Sequence, residues 1–226
     1  MHLDWTKVTD DPKNPAVLKK IEEYLKSIQT TVPGGFDGLL ELFKDKVELD
    51  IGAAAHNEAR YKTQSWKHKK IANVANRCVG IDIVKPMVDL INNDGYDVRL
   101  CDATSDEYLG EKFDVVFLGD IIEHVTAMDK LLYFCKRHLN NRGIIIVGTP
   151  NPFFIRYFLR VFIKKTYVAS CEHVAWISES TALELSRRTD LELINIIRPV
   201  SKHWLKRFLQ ELNLGLSSHH YYYVFK

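Results

Sequence analysis

At 226 residues, 46% of them apolar and 27% charged, the chain has material for one domain with a substantial core and no stretch depleted enough for extended disorder. Its 31 basic residues against 29 acidic ones give no general attraction for nucleic acid, so no nucleic-acid partner is expected and any basic surface is local. The acid-containing start MHLDWTKVTDDPKN is no secretory leader, no uncharged run reaches the roughly 18 residues of a membrane span, and Cys78, Cys101, Cys135 and Cys171 lack zinc or disulfide spacing, so a cytoplasmic protein with reduced, buried cysteines is expected.

Val17, Leu18, Ile21, Tyr24, Leu25 and Ile28 recur three or four apart after Asn14 and Pro15, which predicts a capped helix along one side of the core. Pro33, Gly34 and Gly35 break it, and residues Phe36 to Asp45 read as a second short helix, so residues 1–45 form an N-terminal helical extension. From Lys46 onward, KVELDIG, CVGIDI, DVRLCDA, FDVVFLGD and GIIIVGTP alternate with helical stretches, including a short one after Ala103 and one from Ala127 to Leu139. Strands such as Val115 to Leu118 are apolar on both faces, as a parallel sheet between two helix layers requires. The chain therefore reads as α/β, with a doubly wound, mostly parallel seven-stranded sheet. After Pro150, Ser178 to Thr189 reads as a capped helix, and LELINIIRPV and HHYYYVFK as strands of a C-terminal antiparallel hairpin, with Trp204 to Leu212 between them.

Doubly wound sheets bind ligands at the carboxyl ends of their strands, near the point where strand order reverses. Asp50, Asp82, Asp102 and Asp120 each end one strand and so converge on that edge. Helix capping is the alternative reading for any one of Asp50, Asp102 and Asp120, and the convergence of four acids argues for a site. Asp82 is suited to accept from both hydroxyls of a ribose, and Gly52, Ala53, Ala54 and Ala55 let the backbone approach a ligand.

Over residues 46–226 the chain resembles the class I S-adenosylmethionine-dependent methyltransferases, most of all their small-molecule and glycan-directed members. VELDIGAAAHN is similar to the family's first strand and glycine-rich turn, VGIDI to its ribose-binding acid, CDAT to its adenine-contacting acid, and FDVVFLGDIIEHV to its fourth-strand motif. KRHLNNRGIIIVGTPNP resembles the helix, turn and fifth strand that follow. The resemblance implies a Rossmann-like fold and S-adenosylmethionine as cofactor. It implies Asp50 and Gly52 at the methionine portion, Asp82 at the ribose, Asp102 with Ala103 at the adenine, and Gly119 and Asp120 along the floor, with His124 close by and Ala53, Ala54 and Ile83 also at the cofactor. The usual turn has three alternating glycines; Ala54 and His56 stand here at the second and third.

Transfer from a sulfonium depends mainly on in-line positioning, and a hydroxyl acceptor also needs a base. His124 and His173 are the candidate catalytic residues, since imidazole takes a proton near neutral pH; each serves equally as a packing or capping group. The expected activity is methyl transfer to an oxygen or nitrogen of a small-molecule or sugar-containing acceptor. The alternative is a cofactor-binding, catalytically inactive scaffold. No resident metal is expected. Residues 151–175 read as a lid or substrate-side insertion, and the interleaved aromatic and basic residues of 153–165 also suit contact with a membrane or anionic surface, or a second copy. Lys67 to Lys70 read as a solvated helix face.

Overall fold

The first long helix begins where the sequence supplies its own cap. In the computed structural model, which describes residues 4–54 and 58–226, Asn14 Oδ1 accepts from the backbone N–H groups of Ala16 (3.1 Å) and Val17 (3.3 Å). Helix α1 (Pro15–Ser27) then lays Ile21, Tyr24 and Leu25 on the main core. Strand β1 (Gln29–Pro33) follows at once, within a segment whose sequence reads as helical. Its two threonines and Val32 favour extended backbone, and Pro33 is tolerated because β1 is an edge strand. A 3-10 helix over Gly35–Leu42 takes the place of the expected second helix.

The rest of the chain runs β2 (Val47–Ile51), α2 (Glu58–Tyr61), α3 (Lys67–Ala72), β3 (Arg77–Asp82), α4 (Lys85–Asn93), β4 (Val98–Leu100) and β5 (Phe113–Gly119). After a 3-10 turn at Ile122–His124 come α5 (Met128–Arg137), β6 (Leu139–Pro150), α6 (Ile155–Lys164), α7 (Glu179–Arg188), β7 (Leu193–Val200), α8 (Trp204–Glu211), α9 (Leu214–Ser217) and β8 (His220–Phe225). No helix forms between β4 and β5, where a short one is expected: Asp102 closes a local turn on Thr104, and Gly110 adopts a left-handed φ of 81°.

One sheet of eight strands results, in the order β1-β7-β8-β6-β5-β2-β3-β4, with β8 antiparallel to both neighbours and the other pairs parallel. The closing strand lies inside the sheet, between β6 and β7. The chain winds outward from β2 to β4 and then crosses to β5, which makes the carboxyl ends of β2 and β5 the switch point.

Both faces of the sheet are buried, which explains the strands that are apolar throughout. In β5, Phe113, Val116 and Leu118 join the core beneath α5 and α7, while Val115 and Phe117 meet Leu39, Phe43 and Ile71 on the opposite face. The tyrosines of β8 divide in the same way: Tyr221 and Tyr223 lie on the first side, Tyr222 on the second. The four cysteines are free; Cys101 and Cys135 are buried as expected, but Cys78 is half-buried and Cys171, in the segment after α6, is exposed.

Candidate active site

At the end of β2, Gly52 carries a left-handed φ of 76°, and a Cβ there would run into the Ile121 side chain, so this turn needs glycine. The N–H groups of Gly52 and Ala53 donate to Ile81 O (2.9 and 3.1 Å), and Trp66 Nε1 donates to Ala53 O (2.8 Å). Asp82, 8% exposed, ties the turn to β3: its Oδ2 accepts from Ala54 N–H (3.0 Å) and its Oδ1 from Val84 N–H (2.9 Å). Each oxygen retains further acceptor capacity, and Asp82 lines the cleft. His56, at the third position of the glycine pattern, lies outside the described residues, as does Ala55.

Asp50 is buried in β2 and its Oδ2 lies 3.0 Å from Nδ1 of His68 on α3. Glu48, two residues earlier on the same face, is fully buried; burial, reinforced by the Asp50 charge, holds its carboxyl well above the usual range. Asp102 accepts from the N–H and Oγ1 of Thr104 (both 2.8 Å), with Ala103 buried beside it and Ile83 exposed at the rim.

At the end of β5, the absence of a side chain at Gly119 leaves room for the Phe117 ring and the Lys67 ammonium. Asp120 follows with φ 63°, its Oδ2 2.6 Å from Lys67 Nζ and its Oδ1 2.8 Å from His220 Nε2. Burial alone would raise this carboxyl; His220 and Lys67 together hold it far below the ordinary range.

Asp50, Gly52, Ala53, Ala54, Asp82, Ile83, Asp102, Ala103, Gly119, Asp120 and His124 all line one cleft of about 660 Å³. His173 does not; it lines an adjoining cleft of about 410 Å³ together with Glu123, Asp120, His124 and His220. The two clefts share Arg60, Asp120 and His124. The His124 and His173 rings meet edge-on with centroids 4.8 Å apart, and Glu123 O accepts from the N–H groups of Val174 (2.9 Å) and Ala175 (3.3 Å), which pins the His173 segment to the turn after β5. Burial, with the Asp120 charge adding to it, pushes the Glu123 carboxyl up to about 7. Burial and the neighbouring His124 push the His173 imidazole down.

The reading of Lys67 to Lys70 as a solvated face needs correction. His68 is 1% exposed and sits on Asp50, Lys67 sits on Asp120, and Lys70 pairs with Asp37. His68 and Ile71, three apart, form the inward face of a helix too short for its periodicity to stand out. His220 also escapes sequence reasoning. An antiparallel strand begins where its parallel neighbours end, so pairing of β8 with β6 sets His220 opposite Pro150, at the site edge.

Helices α6 and α8 bury no residue. Phe162 and Ile163 on α6 are 76% and 74% exposed, as is Trp204 on α8 at 74%. Among the described residues, no helix is long and apolar enough to cross a membrane.

Residues 49–147, from β2 to β6, match the family model described as a methyltransferase domain. No curated protein matches the chain. The fold is similar to that of an S-adenosylmethionine-dependent methyltransferase from Archaeoglobus fulgidus (TM-score 0.55, 17% identity, 92% of this chain and 99% of that one). It is likewise similar to a TehB-like S-adenosylmethionine-dependent methyltransferase from Corynebacterium glutamicum (0.55, 17%, 96% and 99%). Magnesium protoporphyrin IX methyltransferase from Synechocystis PCC 6803, solved with bound SAH, gives 0.56 at 12% identity over 98% of this chain and 91% of that one. At such identities the likeness is one of fold, and the family match lies on the strands that carry Asp50, Asp82, Asp102 and Asp120. Residues 49–147 thus match a methyltransferase domain, set in a Rossmann-like sheet.

Proposed function

We propose that this enzyme transfers the methyl group of S-adenosylmethionine to an oxygen or nitrogen of a small-molecule or sugar-containing acceptor. The observation that carries this reading is the meeting of two clefts at Asp120 and His124, one of a size for the cofactor and one opening beside it. Asp82 receives the ribose hydroxyls on its remaining lone pairs, Asp102, Ala103 and Ile83 hold the adenine side, and Gly52, Ala53 and Ala54 accommodate the methionine end. Asp50 and Asp120 put negative charge near the sulfonium, and Gly119 keeps the floor open.

On the acceptor side, His124 and His173 are the proposed catalytic pair. They hold the reacting oxygen or nitrogen in line with the methyl carbon and take its proton where it has one to lose. The new bond to carbon forms as the carbon–sulfur bond breaks, and its electron pair passes to sulfur, leaving S-adenosylhomocysteine. In this account residues 46–226 are the catalytic unit of a cytoplasmic protein, residues 1–45 extend it, and residues 151–175 cover the acceptor. Phe162 and Ile163, flanked by Arg160, Lys164 and Lys165, suit peripheral contact with an anionic membrane, as do the exposed apolar side chains of α8.

The test is formation of S-adenosylhomocysteine by purified enzyme across hydroxyl, amine and glycoside acceptors, with His173→Ala in parallel. Turnover with one acceptor class, lowered at least about tenfold in kcat in the variant, is the expected result. Tight cofactor binding without turnover on any class contradicts it and favours an inactive scaffold.

A further inference from the structure

Glu123, His124 and His173 offer a carboxylate oxygen and two imidazole nitrogens that lie within 4.8 Å of one another. We infer that these three side chains bind a divalent transition-metal cation on the acceptor side of the cofactor cleft. Two orphaned atoms point to a ligand there, independently of the grouping. Glu123 is 1% exposed; Thr149 Oγ1 donates to its Oε2 (3.1 Å), while its Oε1 has no hydrogen-bond partner among the described residues. His173 Nδ1 is buried in the same condition. Buried polar atoms left unpaired cost free energy, and one cation satisfies both.

The surroundings fit such an occupant. Lys67 is held on Asp120 at 2.6 Å, and Arg60 lines the same cleft as the three ligands. Thr149 steadies the Glu123 carboxylate, and Glu172 Oε2 stands 3.7 Å from His124 Nδ1, an outer carboxylate of the kind that orients metal-bound imidazoles. Two nitrogens and one carboxylate suit Mn²⁺, Fe²⁺, Co²⁺ or Zn²⁺ better than cations that prefer all-oxygen shells. Three protein ligands leave coordination positions open, as catalytic sites do, and the cleft of about 410 Å³ that these residues line gives an acceptor access to them.

The inference rests on the methyl-transfer reading and narrows its acceptor to oxygen. A cation lowers the pKa of a hydroxyl bound to it. The O–H bond breaks, its proton leaves to solvent, and the oxygen keeps lone pairs with which to attack the methyl carbon as the carbon–sulfur pair moves to sulfur. An amine would commit its single lone pair to the cation and lose its nucleophilicity. With the cation bound, His124 and His173 act as its ligands; without it, they revert to proton acceptors.

Chelator-treated full-length protein is titrated with MnCl₂ by calorimetry, for wild type, Glu123→Gln and His173→Asn, with S-adenosylmethionine affinity as the check on the cofactor cleft. The expected result is one Mn²⁺ per wild-type chain, weakened more than about 100-fold in both variants, with cofactor affinity unchanged. Equal Mn²⁺ affinity in all three proteins, or none in the wild type, overturns the cation site. If a variant also loses cofactor binding, pulsed electron paramagnetic resonance of the Mn²⁺-loaded wild type decides: imidazole nitrogen at the cation supports the site, and its absence overturns it. Hydroxyl methylation that persists undiminished in EDTA overturns the cation while methyl transfer stands. A wild type that binds Mn²⁺ through these residues but not S-adenosylmethionine supports the site and removes the proposed function.

Discussion

From β2 to β5 each strand carries an acid at or just past its carboxyl end, facing the cleft: Asp50, Asp82, Asp102 and Asp120. From β6 to β8 the site is gathered differently. His173 comes from an irregular segment pinned by two backbone hydrogen bonds to Glu123, and His220 from the first residue of an antiparallel strand. Helices α6 and α8 bury nothing. The comparison teaches where each part is constrained: the residues at the ends of β2 to β5 are built into the sheet, while the His173 segment and helices α6 and α8 are held to it at few points and leave apolar surface exposed.

The largest expected contrast is in folding stability. Phe134 on α5 is fully buried and Phe162 on α6 is 76% exposed. Urea unfolding of Phe134→Ala should show a loss of about 3–5 kcal/mol, and of Phe162→Ala less than about 0.5 kcal/mol. Similar losses at the two sites would mean that α6 is packed against the domain, and would break the comparison. Next comes Gly52→Ala, which forces a side chain into a left-handed turn and against Ile121. It should cost about 1–3 kcal/mol and weaken S-adenosylmethionine at least about tenfold; a change in stability with unaltered affinity would move the methionine end away from this turn.

A third effect falls wholly on the outer surface. Replacing Phe162 and Trp204 together by serine should lower co-sedimentation with phosphatidylglycerol vesicles by about tenfold or more while the melting temperature holds. Equal partitioning of wild type and variant would contradict membrane contact. The smallest effect is electrostatic. Hydrogen bonding from Arg187, then Arg188 and Trp5, holds the Glu184 carboxyl down at about 2 against an ordinary 4.5. A depressed folded value means stability that is present above about pH 4.5 and lost as the pH falls toward about 2. Glu184→Gln should therefore shrink the difference in melting temperature between pH 6 and pH 3; an unchanged difference contradicts this role.

How much could be seen in advance follows the same division. The alternation of apolar runs and helices announced the sheet, and acids at strand ends announced the cleft they line, because parallel strands bring their carboxyl ends to one edge of the sheet. Strand β1 stayed hidden because QTTVP is short and acquires its partner, β7, from the far end of the chain. His68 stayed hidden among lysines that belong to ion pairs. Glu123 reads as one more surface acid until its neighbours are in place; contact with Thr149 on β6 and with the His173 segment buries it. Tertiary pairing assembles the acceptor side, and local pattern carries little of it.

Calorimetric titration of S-adenosylmethionine into wild type and Asp82→Ala tests the central claim most directly. Wild-type binding near micromolar strength, about 8 kcal/mol, that disappears in a folded Asp82→Ala protein is the predicted result. Absence of binding by the wild type, or equal binding by both proteins, would contradict the assignment of this cleft to the cofactor.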